Sequence, residues 1–214
     1  MLLVTSGKKP VSGPPSTNLF KHWKLNTGLT QSGGYASAWA DQIGGTSLSQ
    51  SNASCKPAVQ GDGSLLFDGS NDAMDASFTR SNPETLYILC KHVTWRNDAG
   101  LTDGGNYARW ISGKTTTPQI QMYGGASLLN TNLAVNTWGV VCAVWNGASS
   151  VFQIDATTAV TGNPGNTTPT TFVIGGHAAN GNCGNWQIKE ILMYSAAHDA
   201  TARAAVRDYL ATIP

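Results

Sequence analysis

The sequence predicts an all-β domain that ends in one short helix. Charged residues make up only 12% of the 214 residues, against roughly 25% in an average globular protein, and 24 glycines help to fill the gap. Gly and Asn adopt the positive φ angles of tight turns, so this composition favours many short strands joined by turns. Hydrophobic residues amount to 41% and include seven Trp, which is enough for one sizeable core. The length suits one large all-β domain rather than two.

Short apolar runs predict the strands. Residues 85–90 (TLYILC) have the character of a buried strand, and Trp138–Trp145 (WGVVCAVW), apolar on both faces, is predicted to be central. Asn146-Gly147 is a strong hairpin signal, so residues 151–154 should pair with that strand. A second hairpin is predicted from 65–67 to 73–74 across the turn 68–72. The other predicted strands are residues 107–112, 119–123, 172–174 and 186–194.

The two ends of the chain differ from this pattern. Asp199 can cap a helix over Ala200–Leu210, in which apolar side chains recur with a period of about 3.6 residues. Residues 1–18 combine Gly and Pro with Ser, Thr and Lys, which predicts an extended tail with little to bury. The expected organisation is therefore a tail over 1–18, available as an anchoring arm, and one β-domain over 19–214.

Composition also argues against several classes of protein. The net charge is +1 and no basic run is longer than Lys8-Lys9, whereas a nucleic-acid binder usually has a concentrated basic patch. No apolar stretch approaches the roughly 20 residues that span a bilayer, and the first residues lack the pattern of a signal peptide. We therefore expect neither a nucleic-acid nor a membrane partner. The four cysteines are far apart without a CxxC pair, so four reduced thiols are the simpler expectation, with one disulfide left open.

Several segments share their order and spacing with a known family. They are residues 39–41 (WAD) with Gly44-Gly45, 66–72 (LFDGSND), 173–176 (VIGG), 188–194 (IKEILMY) and the closing helix. Together, over nearly everything from about residue 19 onward, they resemble the concanavalin A-like lectin/glucanase superfamily, in particular its laminin-G-like branch in bacteria and phages. The resemblance implies a concanavalin A-like β-sandwich, or jelly roll, with one short C-terminal helix. It says little about function, because this fold hosts lectins, hydrolases, lyases and inert structural modules.

The catalytic motifs of such enzymes are missing from the sequence. Glycosidases of this family usually place two Glu close together on one strand, whereas Glu84 and Glu190 each lack a nearby second carboxylate. Residues 119–121 (QIQ) lack the His of the Gln-x-His pattern in related lyases. The four His residues have no recognisable partner motif for nucleophilic hydrolysis. We therefore expect a protein that is not an enzyme and carries no cofactor.

The turn 68–72 has two interpretations. Asp68, Asn71 and Asp72 offer oxygens, of which Ca²⁺ takes about six to eight. Alternatively, Asp68-Gly69 makes the turn while Asn71 and Asp72 bond backbone N–H groups. The spacing of an EF-hand is absent, so we predict the turn and no metal site. Asp98 and Asp103, in the Gly-rich loop 97–106, are a weaker metal candidate.

The segment 95–110 is the candidate sugar site. Sugars stack their C–H faces on exposed aromatic rings and bond their hydroxyls to polar side chains. The Gly-rich loop 177–185 adds three Asn side chains. The alternative is that the Trp side chains belong to the core, since Trp is highly buried on average. The predicted carbohydrate-binding residues are Trp95, Arg96, Asp103, Tyr107 and Trp110.

The resemblance favours a non-catalytic virion structural protein, a phage capsid decoration (cement) or fibre module. The tail over 1–18 would then attach it to other virion proteins, such as major capsid or tail subunits, through many weak contacts that sum by avidity. Such a protein would be made in the host cytoplasm without a signal peptide and would lie on the virion surface. A homo-oligomer and contact with surface glycans are further expectations.

The alternative function is a lectin-like, carbohydrate-binding module. In that case Trp95, Tyr107 and Trp110 line an aromatic groove and the tail is a linker. The two functions can coexist, because the outer face of a decoration protein can hold a glycan.

Overall fold

The protein is mostly β, with one helix at its C-terminal end. The computed structural model describes residues 13–115, 117–177 and 181–214. Within these residues the named strands pair antiparallel and form one continuous network. In chain order the elements are β1 (Leu19–Trp23), β2 (Leu29–Ser32), β3 (Tyr35–Ala40), β4 (Ser47–Ser49), β5 (Ala58–Val59), β6 (Leu65–Leu66), β7 (Met74–Ser77), β8 (Glu84–Thr94), β9 (Gly100–Asp103), β10 (Trp110–Gly113), β11 (Ile120–Tyr123), β12 (Ser127–Asn130), β13 (Trp138–Trp145), β14 (Ser150–Ile154), β15 (Val160–Gly162), β16 (Thr171–Ile174), β17 (Asn185–Tyr194) and α1 (Ala200–Leu210).

Three long strands form the centre of the network. β8 pairs with β13 on one edge and with β17 on the other. β14 and β15 continue outward from β13, while β1 and β6 share the far edge of β17. The prediction that β13 is central and pairs with the segment after Asn146-Gly147 is confirmed.

The remaining strands form a second run, in the order β4-β7-β16-β9-β10-β11-β12. β3 and β5 connect this run to β6, and β2 pairs with β3 at the side. The two runs therefore belong to one sheet network, and the second run ends in the three-stranded meander β10–β12.

The main core receives side chains from both runs, and a second cluster lies under the helix. In β8 and β13 alternate residues point into the main core, and their neighbours pack with α1, so both faces of these strands are buried. This explains why β13 is apolar on both faces in the sequence. The main core includes Leu86, Ile88, Val141, Ala143 and Trp145, and the second cluster includes Tyr87, Leu89, Val140, Val206 and Leu210.

Helix α1 has the bounds predicted from the sequence. The Asp199 side chain accepts a hydrogen bond from the Ala202 N–H at 2.8 Å and caps its first turn. Arg203 and Arg207 both donate to Gln153 Oε1, at 2.9 and 3.0 Å, and so fix the helix to β14. No helix in the described part of the chain is long and apolar enough to cross a membrane.

The predicted hairpin across residues 68–72 is wrong, although the turn itself is confirmed. β6 pairs with β5 and β17, whereas β7 pairs with β4 and β16. Asp68 Oδ1 accepts the N–H groups of Ser70 (2.7 Å) and Asn71 (3.3 Å), and Asp72 Oδ2 accepts the Asp68 N–H at 3.0 Å. The turn thus leads the chain from one run of strands to the other. The described residues contain no group of three side chains suited to a metal ion.

Most of the predicted tail falls outside the described part of the chain. Residues 1–12 are not described, and residues 13–18 lead directly into β1. There the Leu19 N–H donates to Ser16 O at 3.1 Å, and the Ser195 N–H donates to Asn18 O at 2.9 Å.

Candidate functional site

The face of β10–β12 that points away from the core carries polar and aromatic side chains. Successive side chains of a strand point to opposite faces, and residues opposite each other in register share a face. The inward row of this meander supplies Ile111, Met122 and Leu128 to the core. The outward face has two rows in register, Trp110, Tyr123 and Ser127 in one and Ser112, Gln121 and Leu129 in the other.

Hydrogen bonds fix the polar groups of this outward face. Gln121 Nε2 donates to Ser112 Oγ at 2.9 Å, and Ser127 Oγ donates to Gln121 Oε1 at 3.0 Å. The buried Ser112 thus orients the Gln121 amide, which in turn holds the exposed Ser127 hydroxyl in place, and this order lowers the cost of binding a ligand.

The loop between β9 and β10 places Tyr107 over this face. The side chain is 43% exposed, and its ring stands edge-on to the Trp110 indole with centroids 5.4 Å apart. The ring also lies over the His177 imidazole, with centroids 4.2 Å apart. Asn182 Nδ2 donates to the Tyr107 hydroxyl at 3.1 Å. Tyr107 is thus an exposed aromatic ring that three neighbours hold in position.

The backbone around Tyr107 is strained. Tyr107 and Arg109 have φ angles of +59° and +56°, which is costly for large side chains, and Asn106, directly before Tyr107, has a φ of +51°. Asp98 and Asn182, in the two adjoining loops, also have positive φ angles, of +54° and +46°, which Asp and Asn adopt at little cost; the strain lies at Tyr107 and Arg109. Strain of this kind clusters at functional sites. It also explains why the strand predicted over 107–112 begins only at Trp110.

A buried ion cluster holds the base of the strained loop. Arg109 Nη1 lies 3.1 Å from Glu84 Oε1, and Arg109 Nε donates to Thr167 O at 2.8 Å. Arg80 pairs with the same carboxylate, its Nε donating to Glu84 Oε2 at 3.2 Å. Burial lowers the pKa of Arg109 to about 10 although Glu84 favours the charged form, so the guanidinium is still protonated at neutral pH. These bonds offset the backbone cost of the loop.

Asp103 and Trp110 support the site from below. Asp103 is fully buried, and its Oδ2 lies 3.5 Å from His177 Nε2, beneath the imidazole on which Tyr107 rests. Trp110 is only 2% exposed, so for this residue the alternative of a buried Trp is confirmed. Both were predicted to contact a ligand. Asp103 has no exposed surface and holds His177 instead, whereas Trp110 keeps a small exposed surface and also supports Tyr107.

These side chains line an open depression of about 270 Å³, which we call the Tyr107 groove. Asp98 Oδ1 and Lys114 Nζ lie 3.7 Å apart at its rim. Sequence reasoning missed Lys114, Gln121, Tyr123 and Ser127, although the alternation of residues 120–123 was a signal for an outward polar row. The lining residues are Asp98, Tyr107, Trp110, Lys114, Gln121, Tyr123, Ser127 and Asn182.

Trp95 and Arg96 lie in a neighbouring depression of about 240 Å³, which we call the Trp95 depression. Trp95 is half-buried and packs against His92, with ring centroids 5.2 Å apart. Arg96 is exposed and donates to the carbonyls of Gly69 (3.2 Å) and Cys183 (2.7 Å). The five predicted site residues thus do not form one site. Two of them, Tyr107 and Trp110, line the Tyr107 groove, Trp95 and Arg96 line the Trp95 depression, and Asp103 is buried beneath the groove.

A second polar cluster lies under α1, away from both depressions. The Tyr209 hydroxyl donates to Glu190 Oε1 at 2.5 Å, and His22 Nε2 lies 2.7 Å from the same oxygen. Burial, together with this hydrogen bond, raises the pKa of Tyr209. All three side chains are buried, and they join the helix to β17 and β1.

Comparisons with known proteins give structural neighbours but no family. No protein-family model and no curated protein matches the sequence. Among solved structures, the chain is similar to Trypanosoma rangeli sialidase in complex with 2,3-difluoro-KDN (TM-score 0.70, 15% identity, 100% of this chain and 36% of that chain). It is also similar to the botulinum neurotoxin serotype D binding domain (TM-score 0.66, 10% identity, 89% and 51%). A mutant GH54 α-L-arabinofuranosidase is a third neighbour (TM-score 0.62, 11% identity, 82% and 50%).

These neighbours contradict the expectation that the chain is not an enzyme. Its structure matches chains named sialidase and arabinofuranosidase, which are enzymes, so the absence of familiar motifs from the sequence did not justify that expectation. At 15% identity or less the likeness concerns the fold, and the chain spans about a third of the sialidase chain. The likeness therefore does not assign an activity to this chain.

Proposed function

We propose that this protein binds carbohydrate in the Tyr107 groove. The observation that carries the proposal is the exposed ring of Tyr107, fixed by Trp110, His177 and Asn182 above a face of ordered hydroxyl and amide groups. An aromatic platform beside such groups suits a sugar, because its C–H face can stack while its hydroxyls find partners.

The electrostatic character of the groove is consistent with a ligand selected through its hydroxyls. One acidic side chain, Asp98, and one basic side chain, Lys114, lie side by side, so their charges largely offset each other. The remaining polar groups are the hydroxyls of Tyr123 and Ser127 and the amides of Gln121 and Asn182.

We also propose that the sheet network is a concanavalin A-like sandwich of the laminin-G-like type. The support is a main core that receives side chains from both runs of strands, a closing helix, and the order of the segments that resemble that family. The sialidase and arabinofuranosidase names of two structural neighbours agree with a carbohydrate ligand.

Glycan binding by the full chain tests this proposal. The labelled protein is applied to an array of sialylated, arabinosylated and neutral glycans, and the affinity for each bound glycan is measured by calorimetry. Tyr107→Ala should weaken binding by about tenfold or more, which corresponds to ~1.4 kcal/mol. Tyr35→Ala is the matched control, because Tyr35 lies on β3 and is 52% exposed. Equal losses in both variants, or no binding to any glycan, would contradict the proposal.

Hydrolysis is followed in the same panel, because enzymes are among the structural neighbours. The bound oligosaccharides are incubated with the protein and analysed by chromatography. Asp98 is the carboxylate among the described residues that line the groove, so Asp98→Asn is the first variant to compare. Loss of cleavage with retained binding would give Asp98 a role in the reaction.

The virion role remains a prediction. It rests on the resemblance to laminin-G-like phage domains and on the tail over 1–18, of which residues 1–12 lie outside the described part of the chain. Attachment to capsid or tail subunits, a homo-oligomer and a position on the virion surface are predictions of the same kind. Deleting residues 1–18 and measuring attachment to purified particles would test them.

A further inference from the structure

The Tyr107 groove and the Trp95 depression share a wall. Asp98 lines the first and Arg96 the second, and residues two apart in a chain have α-carbons within about 7 Å. Likewise Asn182 lines the first and its neighbour Cys183 the second. Arg96 donates to Cys183 O at 2.7 Å, and the Gly100 N–H donates to Asn182 O at 2.7 Å, so the two loops that form the wall are bonded together.

The Trp95 depression contains the groups that a sugar requires. Trp95 offers part of an indole face, and the exposed Arg96 guanidinium offers hydrogen-bond donors. Asn185 and Thr94 complete the polar lining of the depression.

The turn 68–72 forms the far side of this depression. A Cβ added at Gly69 would lie 3.0 Å from Asn185 N, so the turn packs directly against the start of β17. Arg96 Nη1 donates to Gly69 O at 3.2 Å and closes this side. The depression is therefore bounded by bonded loops at both ends.

We propose that the Trp95 depression is a second sugar subsite continuous with the Tyr107 groove, so that the ligand is an oligosaccharide of at least two residues. This inference rests on the proposed function and adds the length of the ligand to it. One residue of the chain occupies the groove beside Tyr107. The next crosses the wall at residues 96–98 and lies against Trp95 and Arg96.

The experiment compares ligands of increasing length. Affinities of the full chain are measured by calorimetry for arabino-, chito-, xylo- and α-2,8-linked sialo-oligosaccharides of one to four residues. In the series that binds, the affinity should rise by about tenfold or more from one residue to two or three. In saturation-transfer NMR on the unmodified protein, at least two adjacent rings of the ligand should receive saturation.

Variants then separate the two subsites. Trp95→Ala should abolish the gain with length but leave the affinity for the single residue within about twofold, whereas Tyr107→Ala should weaken all lengths. Trp95→Phe should restore part of the gain. Trp138→Ala is the matched control, because Trp138 is half-buried on β13 and packs with Lys189. Arg96→Gln serves as the second variant if Trp95→Ala fails to fold.

The outcomes distinguish this inference from the proposed function. Affinity that does not depend on length, saturation of a single ring, or a Trp95→Ala effect as large on the single residue would overturn the inference alone. Absence of binding in every series would contradict the proposed function, and the inference with it.

Discussion

The His92 imidazole lies parallel to the Trp186 indole, with ring centroids 3.9 Å apart and an interplanar angle of 12°. His92 is 1% exposed, and burial lowers its pKa to about 4. The stack lies beside Trp95. One loop of the shared wall follows the end of β8, which carries His92, and the other loop precedes the start of β17, which carries Trp186. The protonation of one histidine is thus coupled to the stability of the region that supports both depressions.

We expect the protein to lose stability on acidification because of His92. The unfolded histidine has a pKa near 6.5 and the folded one near 4, so protonation favours the unfolded state as the pH falls through this window. The loss attributable to His92 should be about 3 kcal/mol between pH 7 and pH 4. The free energy of unfolding is measured by urea unfolding of the protein and of His92→Gln at several pH values. The contribution of His92 is the difference between the two proteins in how steeply this free energy falls as the pH is lowered. Parallel pH profiles would contradict the expectation.

Asp72 should act in the opposite direction. It is 6% exposed, and burial raises its pKa to about 6 from 3.8, although the hydrogen bond from the Asp68 N–H opposes this rise. Its ionised form is therefore unfavourable in the folded state at neutral pH. Asp72→Asn, which can still accept the Asp68 N–H, should raise the free energy of unfolding at pH 7 by up to about 3 kcal/mol. The two proteins should converge below a pH of about 4, and a gain that persists there would have another cause.

The ion cluster at the base of the Tyr107 loop should be sensitive to loss of its carboxylate. Glu84→Gln leaves the buried guanidinium groups of Arg80 and Arg109 without their anion, and we expect a loss of about 3–5 kcal/mol in chemical unfolding. The exposed pair of Asp98 and Lys114 provides the control, because Asp98→Asn should cost about 1 kcal/mol or less. Similar losses in both variants would show that burial does not set the strength of the cluster.

The Tyr209 hydroxyl should contribute to the docking of α1. Tyr209→Phe removes the donor to Glu190 Oε1 and leaves His22 as the other neighbour of that buried oxygen. We expect a loss of about 1–3 kcal/mol, measured by thermal and urea unfolding. Phe retains the ring, so a loss near zero would mean that the hydroxyl is not important for docking.

Gly100→Ala should disturb the Tyr107 groove from beneath. A Cβ at this position would lie 2.5 Å from Cη2 of Trp110 and 2.9 Å from the Gly176 carbonyl carbon. The indole would have to shift, and Tyr107 stands against it. The variant should bind more weakly to whichever glycan the unmodified protein binds. Gly61→Ala is the control, because a Cβ there meets nothing within 4 Å.

Local patterns predicted those parts of the fold that local chemistry determines. Asp199 and the apolar stripe after it predicted α1, and Asn146-Gly147 predicted the pairing of β13 with β14. The partners of β6 and β7 depend on strands about 100 residues away in the chain, and a turn signature carries no information about them. The hairpin prediction failed for that reason.

The site was predicted in part for a similar reason. Aromatic composition drew attention to residues 95–110, but periodicity alone does not reveal that Trp110 is buried and Tyr107 exposed. Arg109 adopts a positive φ because a carboxylate 25 residues earlier, Glu84, and the carbonyl of Thr167 hold it. Such long-range anchors override the local preferences from which a strand was predicted.

In the meander β10–β12, some side chains are constrained by the folded interior and others are free to vary. The inward side chains of the meander and the buried, hydrogen-bonded pair Ser112 and Gln121 are fixed by their neighbours, whereas Tyr123 is half-buried and Ser127 and Leu129 are exposed. Randomising Tyr123, Ser127 and Leu129 together would therefore give a library in which most members fold. Such a library changes the surface of the Tyr107 groove while the interior of the domain stays intact.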